Sequence, residues 1–224
     1  GFVTDSTTKS VHRIDIAQAT RLGALDLQHR PAAMGWIVAP TARKRDPAQI
    51  WLASVTSSPV RPYYTTDFSR NRVADGCSTI LEAGRAESSI QNLQAEVPAG
   101  FVVFLGNRPM HGFTTDLTKL EVVVAPGHSK WDILRRARTN AINFGHNNAQ
   151  LIQLLRTYDA LVPLRFTHAS TDYVQADLDA TDPDFPKLMR MAYDDCSSGG
   201  VAFGNVEEWA AEVKRRGSID LWWD

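Results

Sequence analysis

Cysteine, histidine, arginine and clustered glycine are the residue types in this chain that can carry chemistry, and their spacing limits what that chemistry can be. Cys196 stands between Asp194-Asp195 and Gly199-Gly200. A nucleophilic thiol needs a depressed pKa, supplied by a neighbouring histidine or a helix N-terminus. Two preceding carboxylates and a helix that ends at the cysteine act in the opposite sense. Cys196 is therefore read as a small buried side chain that packs the helix end. Cys77, the only other cysteine, has no better claim. The six histidines (His12, His29, His111, His128, His146 and His168) never recur two or four residues apart, and neither HExxH nor a Cys/His quartet is present. No metal site is expected. His146, beside Asn147 and Asn148, reads as part of a turn and helix cap.

The run Ser197-Ser-Gly-Gly-Val-Ala-Phe-Gly204 could offer backbone amides to an anion ahead of the helix that follows it. It lacks the lysine of a phosphate-binding loop and follows a helix rather than a strand, so a flexible connection between helices is expected. Lys130, Arg135, Arg136 and Arg138 make the densest basic patch, with Trp131 beside them. Arginine pairs bidentately with carboxylate or phosphate, and arginine and tryptophan are enriched at binding hot spots. Thr139, Asn140 and Asn143 surround a turn, where short polar side chains cap backbone first and meet ligands second. The expected ligand- or partner-binding residues are thus Trp131, Arg135, Arg136, Asn140, Asn143, Gly199 and Gly200. No catalytic residue and no cofactor is expected.

The elements that must position these groups are clearest in the second half of the chain. Leu120 to Ala125 reads as a strand, Trp131 to Arg138 as a helix after a Ser129 cap, and Leu151 to Tyr158 as a broad apolar stripe on a helix capped by Asn147 or Asn148. Strands follow at Leu164 to His168 and Tyr173 to Leu178, then a helix opened by Asp182-Pro183. Asn205 with Glu208 marks another helix start, Lys214 to Arg216 its last turn, and Gly217 its stop. Ser218 to Asp224 then forms a short β-like run bearing Trp222 and Trp223. This strand, helices, strand, strand, helices, strand order predicts an α+β fold, with helices on one face of an antiparallel sheet as in a ferredoxin-like, split βαβ unit. Cys196, Trp209, Trp222 and Trp223 are expected to be structural.

Towards the N-terminus, Ile14 to Leu27 reads as a helix, Met34 to Ala39 and Ile50 to Val55 as strands, Cys77 to Ala83 and Ser88 to Ala95 as short helices split by Gly84, and Phe101 to Leu105 as a strand. This divides the chain into an N-terminal α/β region at 1–118 and an α+β domain at 119–224, or one continuous domain, since no linker-like composition separates them.

Composition bounds the function. With 224 residues, 43% hydrophobic and 22% charged, the chain can bury a substantial core. A formal charge of −1 predicts no broad attraction to nucleic acid or anionic membrane. No apolar run approaches the roughly 20 residues that span a bilayer. The first residues lack the basic start and apolar core of a leader, and two distant thiols fit a reducing compartment, so a cytoplasmic location is expected.

Thr139-Asn-Ala-Ile-Asn-Phe144, Tyr193-Asp-Asp-Cys-Ser-Ser198, Val206-Glu-Glu-Trp-Ala-Ala-Glu-Val213 and Leu221-Trp-Trp-Asp224 follow in an order and spacing that resembles the DUF4253 family of bacterial proteins. The closing Leu-Trp-Trp-Asp is the most specific piece, and the likeness covers roughly residues 130–224. Where the family pattern has Cys-Pro-Asp, this chain has Cys196-Ser197-Ser198, so no role for that Asp carries over. The resemblance implies an α+β fold and a bacterial origin. It implies no activity, because none is established for the family.

Without a nucleophile–base pair, metal spacing or nucleotide fingerprint, the leading expectation is a non-catalytic module that binds another protein, of the immunity or accessory kind. Its expected contact surface lies around the Trp131–Arg138 helix and the Ser197–Gly204 loop. Membrane and nucleic acid are not expected partners. The alternative is an enzyme or binder of a phosphorylated or nucleotide small molecule that uses the 197–204 loop with Arg135 and Arg136.

Overall fold

The computed structural model describes residues 2–5, 10–13, 46–67, 70–107, 110–111 and 114–223. It divides into two units, 1–45 and 46–224. In the first, β1 (Phe2–Asp5) and β2 (Ser10–Arg13) pair antiparallel, with Phe2 opposite Arg13. The helix expected at Ile14–Leu27 and the strand expected at Met34–Ala39 lie outside the described residues.

The second unit opens with a correction. Ile50–Val55 is not a strand but part of helix α1 (Pro47–Thr56). Asp46 caps it, its carboxylate accepting the Ala48 N–H at 3.0 Å, and Pro47 sits in the first turn, where its missing N–H costs nothing. The buried positions, Ala48, Leu52 and Thr56, fall four apart. Cys77–Ala83 is also corrected, from helix to strand. After β3 (Arg61–Asp67) it belongs to β4 (Arg70–Glu82), with Cys77 and Leu81 on one face. Gly84 then splits nothing, being the second residue of the continuous helix α2 (Ala83–Glu96).

Strand β5 (Phe101–Leu105) follows, then a small hairpin of β6 (Met110–His111) and β7 (Thr114–Thr115), and β8 (Lys119–Pro126). From there the chain runs through α3 (Lys130–Ala137), α4 (Asn148–Leu161), β9 (Arg165–Ala169), β10 (Tyr173–Asp177), α5 (Phe185–Asp195), α6 (Ser197–Ala202), α7 (Val206–Arg216) and β11 (Ser218–Trp222). The fold is α+β, around a seven-stranded sheet of order β11-β10-β9-β5-β8-β4-β3.

Helices α3, α4, α5 and α7 cover one face, where Phe104, Val123, Phe166, Val174, Ile219 and Leu221 meet Leu134, Leu155, Leu188 and Trp209. Helices α1 and α2 cover the other, over Cys77, Leu81, Val103, Leu105, Val122 and Val124. Strands β5 and β8 are therefore buried on both sides, and β5 and, after the buried Glu121, residues 122–125 of β8 read as unbroken apolar runs, whereas β10 buries only Val174 and Ala176. Its other face, with Tyr173, Gln175 and Asp177, is half-exposed.

The strand order corrects one detail of the expectation. A split βαβ unit interleaves its strands, but here β9, β10 and β11 lie side by side in sequence order, and β5 separates β8 from β9. Residues 119–224 thus contribute no continuous sheet without β5. The β5–β9 pair is the parallel one, with Leu105 opposite His168, while the other pairs in the sheet are antiparallel. Gln94 of α2 spans this junction, its amide donating to the carbonyls of Val103 (3.0 Å) and Phe166 (2.7 Å).

Candidate functional site

The end of α7 sets up the site. Asn205 accepts the Glu208 N–H at 2.9 Å to start this helix. Gly217, at φ 68°, ends it by donating to Val213 O at 2.8 Å. That left-handed turn sends the chain straight into β11. Arg216 in the last helical turn then pairs with Asp220, whose side chain is on the sheet face opposite the Ile219 and Leu221 core. The other carboxylate oxygen of Asp220 accepts the Tyr173 hydroxyl from β10 at 2.6 Å. The hydrogen bond to Asp220 favours the charged guanidinium and raises the Arg216 pKa.

Around this pair opens a cavity of about 570 Å³, lined by Tyr173 and Asp172, Ser198 and Phe203, Trp209 and Glu212 of α7, and Trp222 of β11. Ser198 fixes the far wall, because its hydroxyl accepts the Trp222 N–H at 2.7 Å. A second cavity of about 400 Å³ shares Tyr173, Arg216 and Asp220 and continues past His168, Gln175, Asn107 and Glu87. The His168 and Tyr173 rings meet edge-on at 5.0 Å.

Trp222 and Trp223 take different roles. Trp222 is half-buried in the cleft wall. Trp223 is 1% exposed in the core, with its indole N–H donating to Asp195 O at 3.0 Å and its backbone N–H to Asp172 O at 3.1 Å. Trp209 packs in the core and reaches the cleft with part of its ring system.

Cys196 is 5% exposed and donates to Ala192 O at 3.0 Å. Burial pushes its thiol above the ordinary value, against hydrogen bonds from Ser198, Gly199 and Trp222. Cys77 is pushed up to about 11, by burial first and Asp46 second.

The Ser197–Gly204 stretch is a correction as well, since most of it is helix α6 rather than open loop. Gly199 is buried, and a Cβ there would sit 2.4 Å from Tyr193 Cδ2 and 2.8 Å from Trp209 Cε3. Its Cα packs against those rings and its backbone hydrogen-bonds Cys196, whereas Gly200 is exposed, with nothing within 4 Å of a Cβ.

The Trp131–Arg138 segment forms a separate, internally satisfied surface. Trp131 is half-buried, edge-on to Phe166 at 5.4 Å, with Lys130 Nζ and Arg156 Cζ each 5.3 Å from its ring. Arg135 pairs with Asp132 at 2.7 Å. Arg136 donates to Pro126 O at 2.8 Å and to Asp75 at 2.9 Å. The Asn140 side chain donates to Arg138 O and accepts the Ile142 N–H, each at 3.3 Å, and Asn143 lies in an exposed single turn, Ile142–Phe144. None of Trp131, Arg135, Arg136 or Asn140 lines either cavity described above.

The cleft residues that sequence reasoning passed over are Asp172, Tyr173, Phe203, Glu212, Arg216 and Asp220. One signal was available: Arg216 and Asp220 are four apart across a helix-stop glycine, and Tyr173 alternates outward from Val174 and Ala176.

Among the described residues no helix is long and apolar enough to cross a membrane, and no three His, Cys, Asp or Glu are grouped to hold a metal ion. Neither a curated protein nor a solved structure matches the chain. Residues 121–224, which begin within β8 and carry both Trp222 and the walls of the larger cleft, match the family model described as Domain of unknown function (DUF4253).

Proposed function

We propose that the protein acts by binding another protein, as a non-catalytic accessory or immunity factor of a bacterial cytoplasm, and that the cleft at the β10–β11 end of the sheet is the contact surface. The observation that carries this reading is the gathering of Tyr173, Phe203, Trp209, Trp222 and Arg216 around one cavity of about 570 Å³. Tyrosine, tryptophan and arginine are the side chains that dominate binding energy when they line a pocket a partner can fill and dry. The reading as a binder of phosphorylated or nucleotide ligands has less support. It needs Arg135 and Arg136 beside the 197–204 segment, yet those side chains are engaged by Asp132, Asp75 and Pro126 O and do not line the cleft.

The test uses a partner first isolated with the full chain and then reconstituted from purified components. Trp222→Ala should weaken binding by about 2 kcal/mol, roughly 30-fold in Kd. Arg135→Ala with Arg136→Ala should leave it within about twofold. An unchanged Kd for Trp222→Ala, with the fold intact by circular dichroism, rejects the cleft as the contact surface.

A further inference from the structure

We propose that the group seated in the cleft is a cationic side chain of the partner, a lysine or an arginine. The inference rests on the protein-binding reading and adds the sign and chemistry of the guest. Four aromatic residues, Tyr173, Phe203, Trp209 and Trp222, line the cavity together with three carboxylates, Asp172, Glu212 and Asp220. Arg216 is the one cation among the lining residues, and its charge is already matched by Asp220. The second oxygen of Asp220 holds the Tyr173 hydroxyl.

The charge left for a guest therefore comes chiefly from Asp172. Glu212 is answered by Arg215, an exposed residue outside the lining. Asp172 has no ion pair among the described residues; its carboxylate accepts only a long 3.4 Å bond from the Ser170 hydroxyl.

Three guests can be compared. An anionic group would meet the unmatched carboxylate of Asp172, and like charges brought together repel. A purely aliphatic group would strip water from Asp172 and Glu212 without replacing it. A cation satisfies both features at once, because ring faces carry partial negative charge and carboxylates carry a full one. The methylene stem of lysine or arginine would also lie along the apolar walls while its head reaches the acidic rim.

The experiment titrates the full chain with the N-acetyl, N-methylamide forms of lysine, arginine, norleucine and glutamate, and with tetramethylammonium, reading tryptophan fluorescence and ligand NMR line broadening. The lysine and arginine probes are expected to bind about tenfold or more tighter than norleucine, which has the same stem without the charge. That preference should shrink in high salt, and should shrink again in Asp172→Asn and Glu212→Gln, which alter charge but little volume. Equal binding of norleucine, preference for glutamate, or binding of no probe overturns the proposal. Tetramethylammonium binding without lysine or arginine binding overturns it in favour of a free organic cation. A verified partner that needs Trp222 but binds equally well after every lysine and arginine at its interface is replaced would remove the cationic guest and leave the protein-binding reading standing.

Discussion

Gly199 shows how a residue read for one role can serve another. A pair of glycines three residues beyond a cysteine suggests exposed backbone, yet the missing side chain at 199 makes room for the Tyr193 and Trp209 rings. Gly199→Ala should cost about 1–3 kcal/mol through overpacking, while Gly200→Ala, in open space, should be neutral or slightly stabilising, both read by urea denaturation. Asp132 gives a second prediction at this scale. Against the cost of burial, hydrogen bonds from His128, Arg135 and Ser129 hold its carboxyl down to about 2. A depressed carboxyl contributes stability that is present above its ordinary range near 4 and lost as pH falls through about 2. Asp132→Ala should therefore cost about 1 kcal/mol at neutral pH, and the gap between mutant and wild type should narrow from about pH 4 and close as pH falls through about 2. Such caps were legible in advance, because Ser129 with its helix, Asn147 with Gln150, and Asn205 with Glu208 each act within three residues.

At the scale of elements, legibility depended on whether the deciding contact was local. Helix α7 and its Gly217 stop were written in neighbouring residues, and β5 and residues 122–125 of β8 in unbroken apolar runs. Helix α1 was hidden by β-branched Ile50, Val55 and Thr56, whose strand preference yields to the Asp46-Pro47 start and to burial every fourth residue. Strand β4 was hidden because Cys77, Thr79 and Leu81 alternate with Ser78 and Ile80, a pattern in which polar residues are also buried. Most of the cleft was illegible for a related reason: Tyr173, Arg216 and Asp220 meet only after β10 and β11 pair, with Gln175 opposite Asp220. The closing strand carries the prediction here. Trp223→Ala should cost about 3–5 kcal/mol, since the indole is fully buried and hydrogen-bonded, and Trp222→Ala clearly less. Equal losses of melting temperature for the two would contradict their assignment to core and cleft.

At the scale of the molecule, the sheet is two antiparallel halves, β3-β4-β8-β5 and β9-β10-β11, joined along the single parallel β5–β9 pair. No local pattern announces which strand will occupy the gap between β8 and β9, so the topology had to come from the structure. Residues 119–224 expressed alone should show no cooperative thermal transition, because β8 would lack the neighbour that joins it to β9, and adding residues 46–118 in trans should restore one. The junction also has a dynamic consequence. With one backbone pair assigned across it and a glutamine amide bridging the adjacent carbonyls, the two halves are coupled there less tightly than each is within itself. Amide protons of β9 to β11 would then exchange with deuterium as one cooperative group and those of β4, β5 and β8 as another. Replacing Gln94 with leucine would draw their opening free energies further apart, so that the half carrying the cleft could breathe while the doubly covered half stays shut.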